Sequence, residues 1–194
     1  MATISMKVAA AVVGGALALG GAFALGNHFV DSGSSSQKTH LVEFKDTKAG
    51  WAISYPKGWN RLESKDTDVP LVVSQKPAAA NNGGSILARN LTLGAAVGDS
   101  NLAAAKEITD KIVAGGQGVQ LLAQTAVIHQ GGLPGYFYFY SFKDPASGQE
   151  GVHTHYFLFK GSTMISVVFQ ALPKDSFQGL AHLYDDVIGS FKVL

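Results

Sequence analysis

GYFYFYSFKDPASGQEGVHTHYFLFKGSTMISVVFQA, residues 135–171, decides the fold. It holds three runs rich in Phe, Tyr, Val and Ile, at 135–143, 152–160 and 163–171, separated by two short polar links. Aromatic and β-branched runs of this length, punctuated by Gly, Pro, Asp and Ser, are strands joined by turns. The first link carries Pro145 and Gly148, and the second, Gly161-Ser162, has the length of a tight hairpin loop. A fourth run, 119–129, precedes them across Gly131, Gly132, Leu133 and Pro134. Links this short join only strands of opposite direction, so an antiparallel meander is expected.

The segment after the meander reads as a helix. Phe177, Leu180, Ala181, Tyr184, Val187, Ile188 and Phe191 recur every three or four residues and form one apolar stripe. Asp175 is placed to cap it, with Gln178 in the capping-box position. A second helix is expected before the meander. Asp99 or Ser100 opens it, Leu102, Ala105, Ile108 and Ile112 form its stripe, and Gly115 and Gly116 end it. Further upstream, 40–44, 51–55, 69–74 and 85–93 read as strands, with Pro56 stopping the second and 77–84 looping between the last two. Apolar stripes on helices need a sheet to cover. The expected class is α+β, an antiparallel β-sheet sandwiched by helices.

The chain's start is of another kind. One basic residue, Lys7, precedes Val8 to Leu25, a stretch without charge, and a Gly-Ser-rich stretch follows. A basic start, an apolar middle and a polar exit form an export segment. Its apolar stretch spans ~27 Å as a helix against a bilayer core of ~30 Å. We expect a signal-anchor or transmembrane helix over 1–26, a flexible linker over 27–39 and an extracytoplasmic domain over 40–194. Lys7 inside orients the chain as a single-pass protein of the cytoplasmic membrane, N-terminus in and domain out. The alternative is secretion after cleavage following Ala24, where Ala22 and Ala24 flank Phe23 in a small-x-small site. Ala10, Gly14, Ala18 and Ala22 fall on one face of such a helix, and small residues let a partner helix approach closely in lipid.

Composition excludes several classes. There is no cysteine, hence no disulfide framework, thiol catalysis, thiolate metal site or lipid-bearing cysteine. Net charge is +1 and dispersed, with no basic stripe, so nucleic acid is not an expected partner. Eleven Phe, six Tyr and two Trp supply the means to build a core by burial alone.

With these elements in order, the chain resembles the Mog1/PsbP-like superfamily, including the actinobacterial LpqN-type envelope proteins. The residues that carry the likeness are WAISYPKGW at 51–59, the helix opening near Leu102, GGLPGYFY at 131–138 and YDDVIGSF at 184–191. The resemblance covers roughly 40–194, the whole expected domain. It implies a binding scaffold without a catalytic site or cofactor: PsbP-type proteins are extrinsic subunits of a photosynthetic membrane complex, Mog1 binds a small GTPase, and LpqN-type proteins assist envelope machinery. This chain lacks the anchoring cysteine of the lipoprotein members, a role the apolar segment would fill.

Four constellations remain to be weighed. His153 and His155 lie two apart in an expected strand, on one face, where imidazoles suit a transition metal with His129 or His182 as third ligand. Set against that, no carboxylate or third ligand stands at fixed spacing, and two strand residues beside an aromatic meander is the plainer reading, so no metal is expected. Asp185 and Asp186 are a carboxylate pair suited to acid–base work or, more simply, the solvated face of the last helix. Asn90-Leu91-Thr92 matches a glycosylation acceptor but falls in an expected strand. Tyr136, Tyr138 and Tyr140 alternate onto one face and Phe137 and Phe139 onto the other; the tyrosine face is either a docking surface or covered by the second helix.

No Gly-x-Ser-x-Gly, Ser-x-x-Lys or P-loop occurs. The expectation is a non-catalytic, membrane-anchored accessory protein docking its domain on a membrane protein complex, energy-transducing or envelope. Its partners are that complex and the lipid bilayer, with contacts at Ala10, Gly14, Ala18 and Ala22 and at the tyrosine face. The alternative is a ligand-binding module for a lipid or small envelope molecule. A third class, hydrolase or metal enzyme, lacks a recognisable nucleophile or ligand set.

Overall fold

A computed structural model describes residues 40–77 and 83–194. Within them, strands β1 (Leu41–Asp46), β2 (Trp51–Pro56), β3 (Asn60–Leu62), β4 (Leu71–Ser74) and β5 (Gly83–Val97) lead to a 3-10 turn at Asp99–Ala105 and helix α1 (Lys106–Ala114). Strands β6 (Gln120–Leu121), β7 (Ala126–Gln130), β8 (Leu133–Lys143) and β9 (Glu150–Leu172) follow, then a 3-10 turn at Lys174–Ser176, helix α2 (Phe177–Gly189) and β10 (Lys192–Val193). Among these helices none is long and apolar enough to cross a membrane. The expected helix over 1–26 with its face Ala10, Gly14, Ala18 and Ala22, the cleavage position after Ala24 and the linker lie outside the described residues.

The strands form two antiparallel sheets where one was expected. The larger runs β3-β4-β5-β9-β8-β6, with β7 also on β8; the smaller runs β1-β2-β10. β9 is extended throughout but not straight. Its first part pairs with β8, from Gly135 opposite Leu158 to Lys143 opposite Glu150. Its second part pairs with β5, from Gly83 opposite Leu172 to Thr92 opposite Thr163. His155 Nε2 lies 2.6 Å from Ser166 Oγ, whereas residues eleven apart on a straight strand stand about 36 Å apart. The chain therefore doubles back at the exposed Gly161 and Ser162, with Gly161 at φ +58°, the geometry a two-residue type II′ loop requires of its first residue. The hairpin read from the sequence is present.

Alternation along β8 and β9 feeds two cores. On one face, Phe137, Tyr156, Leu158 and Phe169 pack with Leu180, Tyr184, Val187 and Ile188 of α2 and with Trp51 and Ile53 of the small sheet. On the other, Tyr136, Tyr138, Tyr140, Phe157 and Phe159 pack beneath Leu102, Ala105 and Val113. Trp51, Tyr184, Phe157, Phe159 and Phe169 are almost completely buried, each contributing about 1.5–3 kcal/mol. The small sheet is tied to the large one by polar bonds. Trp51 Nε1 donates to Asn90 Oδ1 at 3.0 Å and Asn90 Nδ2 donates to Asp46 Oδ2 at 2.6 Å. Lys160 Nζ donates to the carbonyls of Ala49 and Gly50 at 2.8 and 3.0 Å.

Local expectations need four corrections. The run 119–129 is two short strands, β6 and β7, both on the outer edge of β8. Neither Asp99 nor Ser100 caps the first helical segment: its N-cap is Gly98, whose N–H is taken by Asn101 Oδ1 at 2.8 Å. Asp175 sits inside a 3-10 turn, and α2 is capped by Ser176 without a side-chain bond. The buried positions of α1 are Thr109 and Val113, not Ile108 and Ile112. The preceding 3-10 turn has about three residues per turn rather than 3.6, which rotates the later stripe by a residue.

Candidate functional site

The face shared by β8 and β9 gathers the chain's chemistry-bearing side chains. Register sets Tyr138 opposite His155 and Tyr140 opposite His153, so two tyrosines and two histidines project from one side. Two separate sets of hydrogen bonds run through this face. Tyr140 Oη lies 3.2 Å from His155 Nδ1, and His155 Nε2 lies 2.6 Å from Ser166 Oγ. With a neutral ring, Tyr140 donates to Nδ1 and Nε2–H donates to Ser166. Tyr138 donates to Asp110 Oδ1 at 2.8 Å and touches Thr109 Oγ1 at 2.5 Å. Tyr136 donates to the Leu102 carbonyl at 3.2 Å. Lys106 stands over the rings of Tyr136 and Tyr138 and pairs with Asp110.

His153 differs from its neighbours. Its ring lies between those of Tyr140, at 4.4 Å, and Phe142, at 4.0 Å. Neither ring nitrogen has a hydrogen-bond partner. Ser85 Oγ and Gln170 Oε1, buried on the neighbouring strands, are also unpartnered, and Ser85 stands opposite Gln170. Burial lowers the pKa of His155 to about 3. Burial, then the neighbouring His155, places His153 well below the usual imidazole range. Both rings are neutral at ordinary pH. Burial raises the Tyr138 and Tyr140 hydroxyls out of any physiological range, with Asp110 adding to the effect at Tyr138. At Asp110 burial acts upward, but the bonds from Lys106 and Tyr138 win and the carboxyl titrates low.

Ser166, His155 and Tyr140 have the order of a hydroxyl nucleophile, a base and an orienting group. Each is only 5% exposed, and they lie inside the sheet–helix interface. Chemically the arrangement binds β8 to the two parts of β9 and offers a substrate no approach. The tyrosine face is therefore corrected as a docking surface: Tyr136, Tyr138 and Tyr140 are 5%, 1% and 5% exposed and lie under the 3-10 turn and α1. His153 and His155 do share a face, yet among the described residues no group of three His, Cys, Asp or Glu could hold a metal. His129 instead meets Asp99 at 2.6 Å on the surface. Asp185 and Asp186 are exposed on α2, and Asn90 of the glycosylation match is spent between Trp51 and Asp46. Exposed large apolar side chains lie elsewhere, among them Ile112 on α1, Leu121 on β6 and Val127 on β7. A cleft of about 620 Å³ opens beside Arg61 of β3 and the loop residues Glu63, Ser64, Asp66 and Thr67.

This order of elements has counterparts among solved structures. Cyanobacterial PsbP from Synechocystis is 15% identical, with 85% of this chain and 99% of that one covered at a TM-score of 0.55. LpqN of Mycobacterium tuberculosis, involved in cell envelope biogenesis, is 13% identical over 81% of this chain and 86% of its own, at 0.57. The Ran-binding protein Mog1p of Saccharomyces cerevisiae is 13% identical over 80% and 96%, at 0.55. The domain has the Mog1/PsbP-like fold. No family model matches the sequence, and no curated protein does. At these identities the likeness is one of fold. The Mog1/PsbP-like domain of this chain places Tyr140, His153, His155 and Ser166 inside.

Proposed function

We propose that the chain is a non-catalytic accessory module, held at the outer face of the cytoplasmic membrane by its apolar N-terminal segment and docking its Mog1/PsbP-like domain on a membrane protein complex. The observation that supports this reading is the burial of the Ser166–His155–Tyr140 network, which puts these three groups out of a substrate's reach. The fold's occurrence in PsbP, in the envelope protein LpqN and in the Ran-binding Mog1p supports a protein-binding or accessory role. The mechanism is effective concentration. A membrane helix and short linker hold the domain near its partner, so a weak docking surface suffices.

The test is a mild-detergent pull-down of the tagged full chain from native membranes, read by mass spectrometry. Stoichiometric recovery of an integral membrane complex is the expected result. Gly14→Leu, Ala18→Leu and Ala22→Leu together should release it, because bulky side chains prevent close helix approach. Recovery of the protein alone, beginning at Leu25, would overturn the reading and favour a secreted ligand-binding module.

A further inference from the structure

We propose that the buried His153–His155 pair is an acid-sensitive latch: neutral, it lets α1 close over the large sheet, and protonated, it releases α1 while the α2 side stays folded. The geometry assigns this role. α1 closes over Tyr138, the residue opposite His155, through Thr109 and Asp110, and its Val113 belongs to the same buried cluster as Tyr138 and Tyr140. Those tyrosines border the imidazoles, with Tyr140 at 4.4 Å from His153 and hydrogen-bonded to His155. His155 is further stacked on Phe157 at 3.8 Å.

Among the described residues, none in contact with the pair would compensate a new charge. β8 presents Tyr138, Tyr140 and Phe142, and the second part of β9 presents Ser166 and Gln170, all neutral. β5 presents Ser85 and also Arg89, whose guanidinium is held by Asp66 at 2.6 Å. α1 presents Thr109 and Asp110, the latter occupied by Lys106 and Tyr138. A proton on either ring would sit among aromatic rings beside a second imidazole, so the charged form is stable only once water reaches it.

The weaker side is also the one above the pair. The 3-10 turn and α1 bury only Leu102, Ala105, Thr109 and Val113. α2 buries Leu180, Tyr184, Val187 and Ile188, with Phe191 behind them. Segments with few buried apolar contacts open first.

Because burial lowers both folded-state pKa values, the open state binds more protons in acid. Opening is constant above the open-state pKa of ~6.5 and becomes easier as pH falls below it. Between pH 7 and pH 5 each exposed histidine should multiply the opening equilibrium about 25-fold.

The experiment is hydrogen–deuterium exchange on the full chain in mild detergent at pH 7 and pH 5, normalised for intrinsic exchange. The expected result is faster opening across Lys106–Ala114 with Phe177–Gly189 unchanged. His153→Phe, which sacrifices no hydrogen bond of the ring, should remove one histidine's share. Both helices opening together would overturn the latch in favour of ordinary acid unfolding. So would an α1 that is indifferent to pH, or a variant identical to the wild type. Should the variant fail to fold, the comparison of α1 with α2 in the wild type decides.

Discussion

Replacing Asn90 with alanine tests how the two sheets are joined. Asn90 accepts the indole N–H of Trp51 at 3.0 Å and donates to Asp46 Oδ2 at 2.6 Å. Trp51 is fully buried and Asp46 is 8% exposed, so water does not replace the lost partner freely. An orphaned buried N–H costs about 1–3 kcal/mol, and a bond to a carboxylate contributes about 1.5–3 kcal/mol. Asn90→Ala should therefore cost about 3–5 kcal/mol, a large part of the ~5–15 kcal/mol that holds a domain together. Trp51→Phe removes the same indole donor together with part of a core side chain. In the Asn90→Ala background that second change deletes an orphan instead of a bond, so it should cost about 1.5 kcal/mol less than in the wild type. Urea unfolding followed by far-UV circular dichroism measures all four corners of the cycle without relying on the altered tryptophan. Additivity within about 0.5 kcal/mol, at unchanged m-value, would refute the claim that this bond joins the sheets.

Two further substitutions probe the packing and the covered face. Gly135→Ala puts a methyl 2.1 Å from the Phe157 carbonyl oxygen and 3.1 Å from Leu158; a loss of about 3 kcal/mol is expected, and an unchanged melting temperature would contradict the close strand approach. Tyr138→Phe removes the bonds to Thr109 and Asp110, at about 1–2 kcal/mol, while partner recovery in the pull-down should be unchanged. Lost recovery from a well-folded Tyr138→Phe protein would return the tyrosine face to the docking surface.

The large sheet and α2 were legible because period and punctuation agree there. Strands 135–143, 152–160 and 163–171 carry their own apolar runs, and Gly161 sits where a reversal needs a positive φ. The stripe through Leu180, Tyr184, Val187, Ile188 and Phe191 is the one that is buried. What escaped notice lacks a local pattern. β3 has three residues, and β10 has two, too few to alternate. β10 exists because the chain leaving α2 meets β2, with Val193 opposite Trp51. The joining of the two sheets rests on the contact of Trp51 with Asn90, thirty-nine positions apart, and no window of sequence contains both.

The candidate site divides along the same line. Alternation correctly separates Tyr136, Tyr138 and Tyr140 from Phe137 and puts His153 and His155 on one face; only the register of β8 with β9 shows that this is the tyrosine side. Alternation assigns sides but says nothing of cover. Whether the tyrosines meet water depends on the phase of α1, and that phase was shifted by a 3-10 turn whose residue Asn101 leaves helical geometry at φ −133°. The tyrosine face then becomes interior, its hydroxyls are spent on Leu102, Thr109, Asp110 and His155, and the histidines beneath lose their access to solvent. A pattern of exposed aromatics and metal-spaced imidazoles thus becomes a buried and uncharged one through the placement of one short helix. Burial, at 5% exposure each, is what separates His153 and His155 from a working pair of imidazoles.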